Sequence, residues 1–373
     1  MIVAINAIFF AKENDGEFLK KVVAGLIANH PEHTFLLITA EESGRDVLPN
    51  VASINPGTPP LKVNRWVFWM YFKIRKILKQ YQPDAFINNG DFLFHFKKVP
   101  QIVFNPDLRF IQDPKIVLAG HRRINEFFGS QYYRKVEEIV VVSEPEREAL
   151  QKKFKGVERK IKVIHFGALS HLAPVEYEER ENIKEQYAKG FEYFLYLGFI
   201  SGSDHLVNLL KSFSAFKRRQ RSSMQLLIMG EKGSGFEDFQ KSMLLYKYKE
   251  DVHLLTGFDL VEKQKIISSA YALIFPYRFD KRIHLLLTAL KYGVPSIVPD
   301  KGSLSEAGLD SVVSFEAGNI PDLAGKMMHL FKDEKARKKL IENSRDWLEE
   351  KDFERGIFAT WELIQKTAKS TFI

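Results

Sequence analysis

Residues 278–282 form a short charged segment whose side chains suit the binding of phosphate. The segment contains Arg278, Asp280, Lys281 and Arg282, and it follows shortly after the apolar run Ala272–Phe275. An Arg guanidinium can bond two phosphate oxygens at once, so these cations are candidates to hold a diphosphate. A solvated basic loop without a ligand is the alternative interpretation, and the residues alone leave both open.

Glycines follow three successive apolar runs in the second half of the chain. They occur at Gly198, in the segment Met229–Gly235 and in the segment Thr256–Asp259. A glycine at the end of a strand lets the backbone approach phosphate, and a following helix N-terminus supplies amide donors. Each glycine alone is also an ordinary turn residue. Three at successive strand ends favour a nucleotide site, because ligands of parallel sheets bind there.

The runs that would position these residues are apolar at consecutive positions, which is typical of strands buried on both faces of a parallel sheet. Amphipathic stretches separate them, as in βαβ units. The pattern predicts an α/β protein with two parallel sheets of about six strands each. In order, the candidate strands are Ile2–Ile8, Phe35–Thr39, Ala85–Asn88, Ile102–Phe104, Ile139–Val142, Lys162–His165, Tyr193–Leu197, Gln225–Met229, Val252–Leu255, Ala272–Phe275, Ser296–Val298 and Val312–Phe315.

The length of 373 residues fits two domains. A polar stretch without a strand candidate, residues 170–190, divides them. We therefore predict a first Rossmann-like domain at 1–170, a linker and lead-in helix at 171–190, and a second Rossmann-like domain at 191–350. Residues 351–373 are predicted to form a C-terminal helix that crosses back to the first domain.

The positive charge of the chain is concentrated in its first half. Residues 1–170 hold 25 Lys and Arg against 18 Asp and Glu, whereas the remainder holds 30 against 29. A basic half can meet an anionic membrane, a phosphorylated acceptor or nucleic acid. The sequence contains no recognised nucleic-acid-binding module, so we predict no nucleic-acid partner. A merely soluble basic surface is the remaining interpretation.

Residues 62–80 combine aromatic and basic side chains in one predicted helix. An amphipathic helix of this composition suits the surface of an anionic bilayer. The alternative is a core helix whose basic side chains extend to water. Neither a signal peptide nor a long apolar span occurs, so we predict a cytoplasmic protein with peripheral membrane contact through this helix. The aromatic and basic residues are Arg65, Trp66, Phe68, Trp69, Tyr71, Phe72, Lys73, Arg75, Lys76 and Lys79.

Several other chemistries lack the residues they need. The chain has no cysteine, so disulfides, thiolate metal sites and a cysteine nucleophile are excluded. It contains no Walker motif, no GxGxxG and no HExxH, and no GxSxG elbow. We predict no metal site and no cofactor.

The order of the segments resembles that of the group 1 glycosyltransferases, the large retaining family with the GT-B fold. In the second half the resemblance lies in YFLYLGFISGSDHLVNLLKSFSAF, LLIMGEKG, VHLLTGFDLVEKQKIISSAYALIFPYRFD and ALKYGVPSIVPDKGSLSEAG. In the first half it lies in NDGEFLKKVVAGLIANHPEHTFLLI, FNPDLRFIQDP, VEEIVVVSEPEREALQKKF and KIKVIHFG. It implies two Rossmann-like domains facing a cleft, with the acceptor side in the first and the nucleotide-sugar site in the second.

The residues that the resemblance assigns to donor binding are largely replaced. The family holds the diphosphate with an Arg and a Lys, and the matching positions here are Phe199 and Asp204. Two glutamates that contact the sugar and the ribose correspond to Asp280 and Thr288. In the first half, a histidine is missing and Asp107 is left. We predict that Arg278, Lys281 and Arg282 compensate for the lost cations.

The resemblance thus implies a candidate site drawn from both halves. Asp280 and Asp107 are its predicted catalytic residues, Gly16 lies on the acceptor side, and Glu306 stands where a glutamate is usual. The predicted donor-binding residues are Gly198, Arg278, Lys281, Arg282, Thr288 and Glu306.

The resemblance implies a retaining glycosyltransferase that moves a sugar from a nucleotide-diphosphate donor to a cell-surface glycan or glycolipid precursor. The nucleotide-sugar is a substrate, and the acceptor is a glycan or a lipid-linked molecule. The replaced residues favour a different hypothesis, a non-catalytic GT-B protein that binds a glycan or partners an active transferase. A sugar-nucleotide epimerase of the same fold is a third hypothesis.

Overall fold

The computed structural model divides the chain into two compact units. The first comprises residues 1–166 together with 354–373, and the second comprises residues 167–353. Each has its own parallel sheet, so the predicted α/β class is confirmed. The structure describes residues 1–8, 16–39, 48–58, 60, 63–88, 95–106, 108–112, 119–169, 172–201, 204–233, 235–278, 282–350 and 352–369.

The sheet of the first unit has the strand order β3-β2-β1-β4-β5-β6-β7, with every neighbouring pair parallel. All six strands predicted for this half are present. The strands are β1 (Ile2–Asn6), β2 (Thr34–Ile38), β3 (Val51–Ile54), β4 (Ala85–Asn88), β5 (Gln101–Phe104), β6 (Glu138–Val141) and β7 (Ile161–Val163).

The edge strand β3 has no counterpart among the predicted strands. Its four residues, Val-Ala-Ser-Ile, are at most half-buried. A strand at the edge of a sheet loses the cover that makes central strands continuously apolar. The sequence pattern was therefore too weak to indicate it.

Helices cover the first sheet and bury its apolar side chains. On α2, Met70, Ile74 and Ile77 recur at helical spacing and pack into one cluster with Leu36 and Phe86 of the sheet. The opposite face of α2 is exposed. The helices are α1 (Gly16–Asn29), α2 (Val63–Tyr81), α3 (Arg109–Gln112), α4 (Ala119–Lys135) and α5 (Glu144–Lys153).

The sheet of the second unit has the strand order β10-β9-β8-β11-β12-β13, again parallel throughout. All six predicted strands of this half are present, because the four central strands are buried throughout and the two edge strands are apolar at most positions. The strands are β8 (Tyr193–Leu197), β9 (Gln225–Met229), β10 (Val252–Leu255), β11 (Ala272–Ile274), β12 (Ser296–Pro299) and β13 (Val312–Phe315).

Capping residues fix where helices of the second unit begin. The side chain of Asp259 accepts a hydrogen bond of 2.8 Å from the amide of Glu262 at the start of α9. Asn319 accepts one of 3.0 Å from Asp322 at the start of α12. Such caps satisfy amides that the helix leaves without partners. The helices are α6 (Tyr177–Ala188), α7 (Asp204–Gln220), α8 (Phe236–Met243), α9 (Leu260–Ser268), α10 (Ile283–Lys291), α11 (Ser303–Gly308), α12 (Ile320–Lys332) and α13 (Glu334–Glu350).

The last helix, α14 (Phe353–Lys369), packs on the first unit. Its Trp361 is buried and stacks on His30 with ring centroids 3.9 Å apart, and on His33 at 4.9 Å. Asn29 donates a hydrogen bond of 2.7 Å to Glu354. The C-terminal residues therefore complete the core of the first unit. None of the described helices is long and apolar enough to span a bilayer.

Candidate functional site

Two glycines let the carboxyl ends of β8 and β9 come together in the second unit. Gly198 and Gly230 have φ values of 148° and 154°. A Cβ atom on Gly230 would overlap the carbonyl group of Gly198. Beyond them the two loops run side by side, since Ile200 and Lys232 form a bridge. Both glycines follow apolar runs, and the structure gives the physical reason for their type.

Arg282 lies directly at Gly198. Its Nη1 donates a hydrogen bond to the carbonyl of Leu197, the last residue of β8. A Cβ atom on Gly198 would lie 2.5 Å from that Nη1 and 2.7 Å from the hydroxyl of Tyr196. The guanidinium also lies 6.0 Å from the ring centre of Tyr196 and 5.9 Å from that of Phe275. Glycine at 198 therefore leaves the space that the guanidinium occupies.

Arg282 also precedes the first turn of α10, which contains no acidic residue. A helix N-terminus carries unpaired amide donors and a partial positive charge. Arg282 and the start of α10 thus place positive charge beside the carboxyl end of β8. Gly198 and Arg282, predicted separately, are neighbours in space.

The loop after β11 meets the loop after β12. A Cβ atom on Gly302, whose φ is 120°, would lie 2.8 Å from the backbone carbonyl of Arg278. Arg278 itself is exposed. Gly302 precedes α11, whose first turn contains the half-buried Glu306. Of the predicted residues, Arg278 therefore lies on one of two adjoining loops, and Glu306 lies on the short helix that follows the other loop.

Thr288 lies within α10 and is 8% exposed. Its hydroxyl donates a hydrogen bond of 2.8 Å to the carbonyl of His284, one turn earlier. The proton of the hydroxyl is thus used within the helix. Only the oxygen lone pairs remain to accept a bond from a ligand.

Two aromatic side chains near these strand ends were not predicted. The ring of His205, at the start of α7, lies 5.1 Å from the ring of Tyr277 and 6.4 Å from that of Tyr196. Tyr277 directly precedes the charged segment, and His205 directly follows Asp204. In the sequence, only their positions next to residues already predicted could have indicated them, because a single His or Tyr forms no pattern of its own.

Several predicted residues fall outside the described part of the chain. Asp107, Asp280 and Lys281 are among them. Of Asp204, only its place as the first residue of α7 is described. Phe199, which directly follows Gly198, is 42% exposed.

In the first unit, Gly16 is the first residue of α1. The strand ends of this unit carry a buried polar chain. Asn6 Nδ2 donates to Asn88 Oδ1 over 3.1 Å, and Asn88 Nδ2 donates to the hydroxyl of Tyr132 over 2.8 Å. Burial raises the pKa of the Tyr132 hydroxyl, so it stays neutral. These hydrogen bonds link the carboxyl ends of β1 and β4 to α4.

The described residues include no group of three or more His, Asp and Glu arranged to hold a metal ion. The described part of the candidate site in the second unit offers cations, a helix N-terminus and close-packed glycines. That chemistry suits an anionic ligand such as a phosphate ester.

Two family models match the chain, and each covers most of one unit. Residues 178–347 match the model described as glycosyl transferases group 1. Residues 21–168 match the model described as glycosyltransferase family 4. The first match includes the strand ends at Gly198, Arg282 and Glu306. A comparison with curated protein sequences gives no match.

Solved glycosyltransferase structures share the fold over nearly the whole chain. WaaG, a glycosyltransferase involved in lipopolysaccharide biosynthesis, is 13% identical with a TM-score of 0.80, covering 98% of this chain and 99% of its own. Sucrose-phosphate synthase from Thermosynechococcus elongatus is 14% identical with a TM-score of 0.79, covering 99% of each chain. HepE of Anabaena, solved with UDP-glucose, is 12% identical with a TM-score of 0.72, again covering 99% of each. The predicted GT-B class is confirmed.

Proposed function

We propose that this chain, a glycosyltransferase of GT-B type, transfers a sugar from a nucleotide-diphosphate donor to a cell-surface glycan or glycolipid precursor. Its second unit matches the group 1 glycosyltransferases, and its first unit matches glycosyltransferase family 4. We further propose that the reaction retains the configuration at the sugar. HepE has been solved with UDP-glucose, and this supports a nucleotide-sugar as the donor. The nucleotide-sugar is a substrate, and the proposal includes no cofactor.

The contact between Arg282 and Gly198 carries the proposal. The family cations that follow the first strand of this unit are replaced, and the guanidinium of Arg282 reaches the same strand end from a different segment. A cation held there can stabilise the negative charge that develops on a leaving diphosphate. Arg278 and Lys281 are proposed to assist it, and Asp280 and Asp107 are proposed to contact the reacting groups.

A lipid-linked acceptor would require the enzyme to approach a membrane. The aromatic and basic helix α2 supports this, because Phe68 and Phe72 are exposed while the opposite face of the helix is buried. We therefore propose peripheral membrane contact through residues 62–80.

A second candidate function is a non-catalytic GT-B protein that binds a glycan or partners an active transferase. One observation favours it. Phe199 exposes an apolar ring at a position where a cation would meet the diphosphate. If Arg282 cannot replace that cation, donor binding fails and the fold serves recognition alone.

The two functions differ in their response to nucleotide-sugars. A thermal-shift screen against UDP-, GDP- and ADP-sugars should give a raised melting temperature with one nucleotide class, since a ligand that binds the folded state stabilises it. Hydrolysis or transfer of that donor then identifies the transferase. Absence of any shift across the three classes would favour the non-catalytic function.

A further inference from the structure

The exposed face of α2 changes character along its length. Phe68, Phe72, Arg75 and Lys79 are spaced four, three and four residues apart, so they lie on one stripe of the helix. Phe68 is 64% and Phe72 63% exposed. The helix contains five Lys and Arg and no Asp or Glu. One stripe therefore presents two apolar rings followed by two cations.

A third exposed ring lies on the neighbouring helix. Helix α4 packs beside α2, and its Phe127 is 81% exposed. Isolated exposed apolar side chains are ordinary, whereas several on adjoining elements indicate a contact surface. The buried side chains Met70, Ile74 and Ile77 hold α2 on the sheet. The phenylalanines can therefore enter an apolar phase without unfolding the helix.

The cationic end of the stripe borders a groove of about 810 Å³. Arg75 and Lys79 line it from α2, and Lys97 and Lys98 line it from the segment before β5. No Asp or Glu is among the described residues that line it. Within the described part of the chain, the ammonium groups of Lys79, Lys97 and Lys98 have no ion-pair partner. The described lining of the groove is therefore strongly positive.

The groove has a preformed aromatic wall. The rings of Tyr71 and Phe96 stack with centroids 5.8 Å apart and an angle of 13°. The Tyr71 hydroxyl accepts a bond of 3.2 Å from Arg75, whose guanidinium is thereby held at the groove. His95 also lines the groove, 3.9 Å from Glu137, and burial lowers the pKa of His95. Glu137 in turn accepts a bond of 2.6 Å from the amide of Gln101, so its charge is already engaged.

We propose that this groove binds the phosphate of an anionic phospholipid headgroup while Phe68, Phe72 and Phe127 enter the bilayer surface. The inference rests on the proposed peripheral membrane contact and specifies its chemistry. From Phe72 to Lys79 the helix rises about 10 Å, so the apolar rings and the groove cations are close enough to meet one patch of the bilayer surface together. At such a surface, apolar rings enter the boundary between headgroups and acyl chains, and cations meet the anionic headgroups.

Vesicle co-sedimentation of the full chain tests the proposal. Vesicles of phosphatidylcholine with phosphatidylglycerol should bind the protein, and vesicles of phosphatidylcholine alone should not. Removing two groove cations in the double variant Lys97→Gln, Lys98→Gln should weaken binding about 25-fold, from about fivefold for each cation near an anionic surface. The double variant Phe68→Ser, Phe72→Ser should lose binding even at low salt. All four side chains are exposed, and melting curves check that the variants fold.

The matched control is the double variant Arg218→Gln, Arg219→Gln, which removes the same charge from an exposed part of the second unit. It should bind vesicles like the unmodified chain. If the control loses as much vesicle binding as the Lys97→Gln, Lys98→Gln variant, the loss reflects net charge alone and the proposal is overturned. Binding of soluble glycerol phosphate in the groove without vesicle binding would also overturn it, in favour of a free phosphate ester. So would self-association that the Phe68→Ser, Phe72→Ser variant abolishes.

Nucleotide-sugar binding by the same variants separates the two proposals. The double variant Lys97→Gln, Lys98→Gln should bind the donor like the unmodified chain, since the donor site is proposed to lie in the second unit. Loss of vesicle binding with donor binding retained supports the headgroup site. A chain that binds vesicles but no donor leaves the headgroup site standing and removes the proposed transfer.

Discussion

Replacement of Arg282 by alanine is the sharpest perturbation of the proposed donor site. The guanidinium donates to the carbonyl of Leu197 and lies within about 6 Å of the rings of Tyr196 and Phe275. These contacts hold the side chain in place before a ligand arrives. A preorganised cation loses little conformational entropy on binding, so its removal should appear almost entirely as lost affinity.

The expected loss follows from the character of the bond. A hydrogen bond to a charged group contributes about 1.5–3 kcal/mol, and about 1.4 kcal/mol corresponds to a factor of ten in Kd. Arg282 is half-buried rather than buried, and solvent weakens charge pairs that it reaches. We therefore expect Arg282→Ala to bind the donor about tenfold to thirtyfold more weakly.

The assay is isothermal titration calorimetry with the nucleotide-sugar that gives the largest thermal shift. The donor affinity of Arg282→Lys should lie between that of the unmodified chain and that of Arg282→Ala, because an ammonium is a single point of charge and cannot form the paired bonds of a guanidinium. Arg219→Ala, which removes an exposed cation elsewhere in the second unit, should leave Kd unchanged. Titration well below the melting temperature keeps all variants folded despite the lost bond to Leu197.

If Arg282→Ala binds the donor with the affinity of the unmodified chain, Arg282 has no part in the site. Should the alanine variant be too unstable to measure, Arg282→Gln decides the matter, because its side-chain amide can still donate toward the carbonyl of Leu197 but carries no charge. Unchanged donor affinity in that variant would assign Arg282 a purely structural role.

Three further predictions concern stability. Gly230→Ala should destabilise the second unit by more than about 1–3 kcal/mol, the usual cost of backbone strain, because the new Cβ atom would also overlap a neighbouring carbonyl group. The control in urea unfolding is Gly257→Ala, where φ is 80° and a Cβ atom would have nothing within 4 Å, so that only the backbone strain is measured. Trp361→Ala should cost about 3–5 kcal/mol as a large buried ring is lost, whereas Phe358→Ser, at an exposed position, should change the melting temperature little. Burial lowers the pKa of His30 below its usual value of about 6.5, so the unfolded chain takes up the proton first and the free energy of unfolding should fall as pH drops below about 6.5. His30→Phe keeps the stack on Trp361 and should flatten that fall in stability, and an unchanged pH profile would contradict the assignment.

The class of fold and the positions of most strands could be predicted from the sequence alone. Tyr193–Leu197 and Gln225–Met229 are mostly apolar runs that the structure buries completely, and such strands form where both faces of a parallel sheet are covered. Gly198 could be singled out because a glycine after a strand is a local feature. The edge strand Val51–Ile54 could not, because its side chains are only partly buried and leave no apolar pattern.

The order of the strands, and with it the candidate site, depends on contacts between segments that are far apart in the sequence. Leu197 and Arg282 are 85 residues apart, and they meet because β11 pairs with β8 rather than with the strand that precedes it in the chain. Likewise Trp361 reaches His30 through the packing of α14 on the first unit. Hydrophobic periodicity records the neighbours of a residue along one element and carries no information on which elements lie side by side. The sequence could therefore predict that a cationic residue would serve the site, but the position of Arg282 at Gly198 followed from the fold.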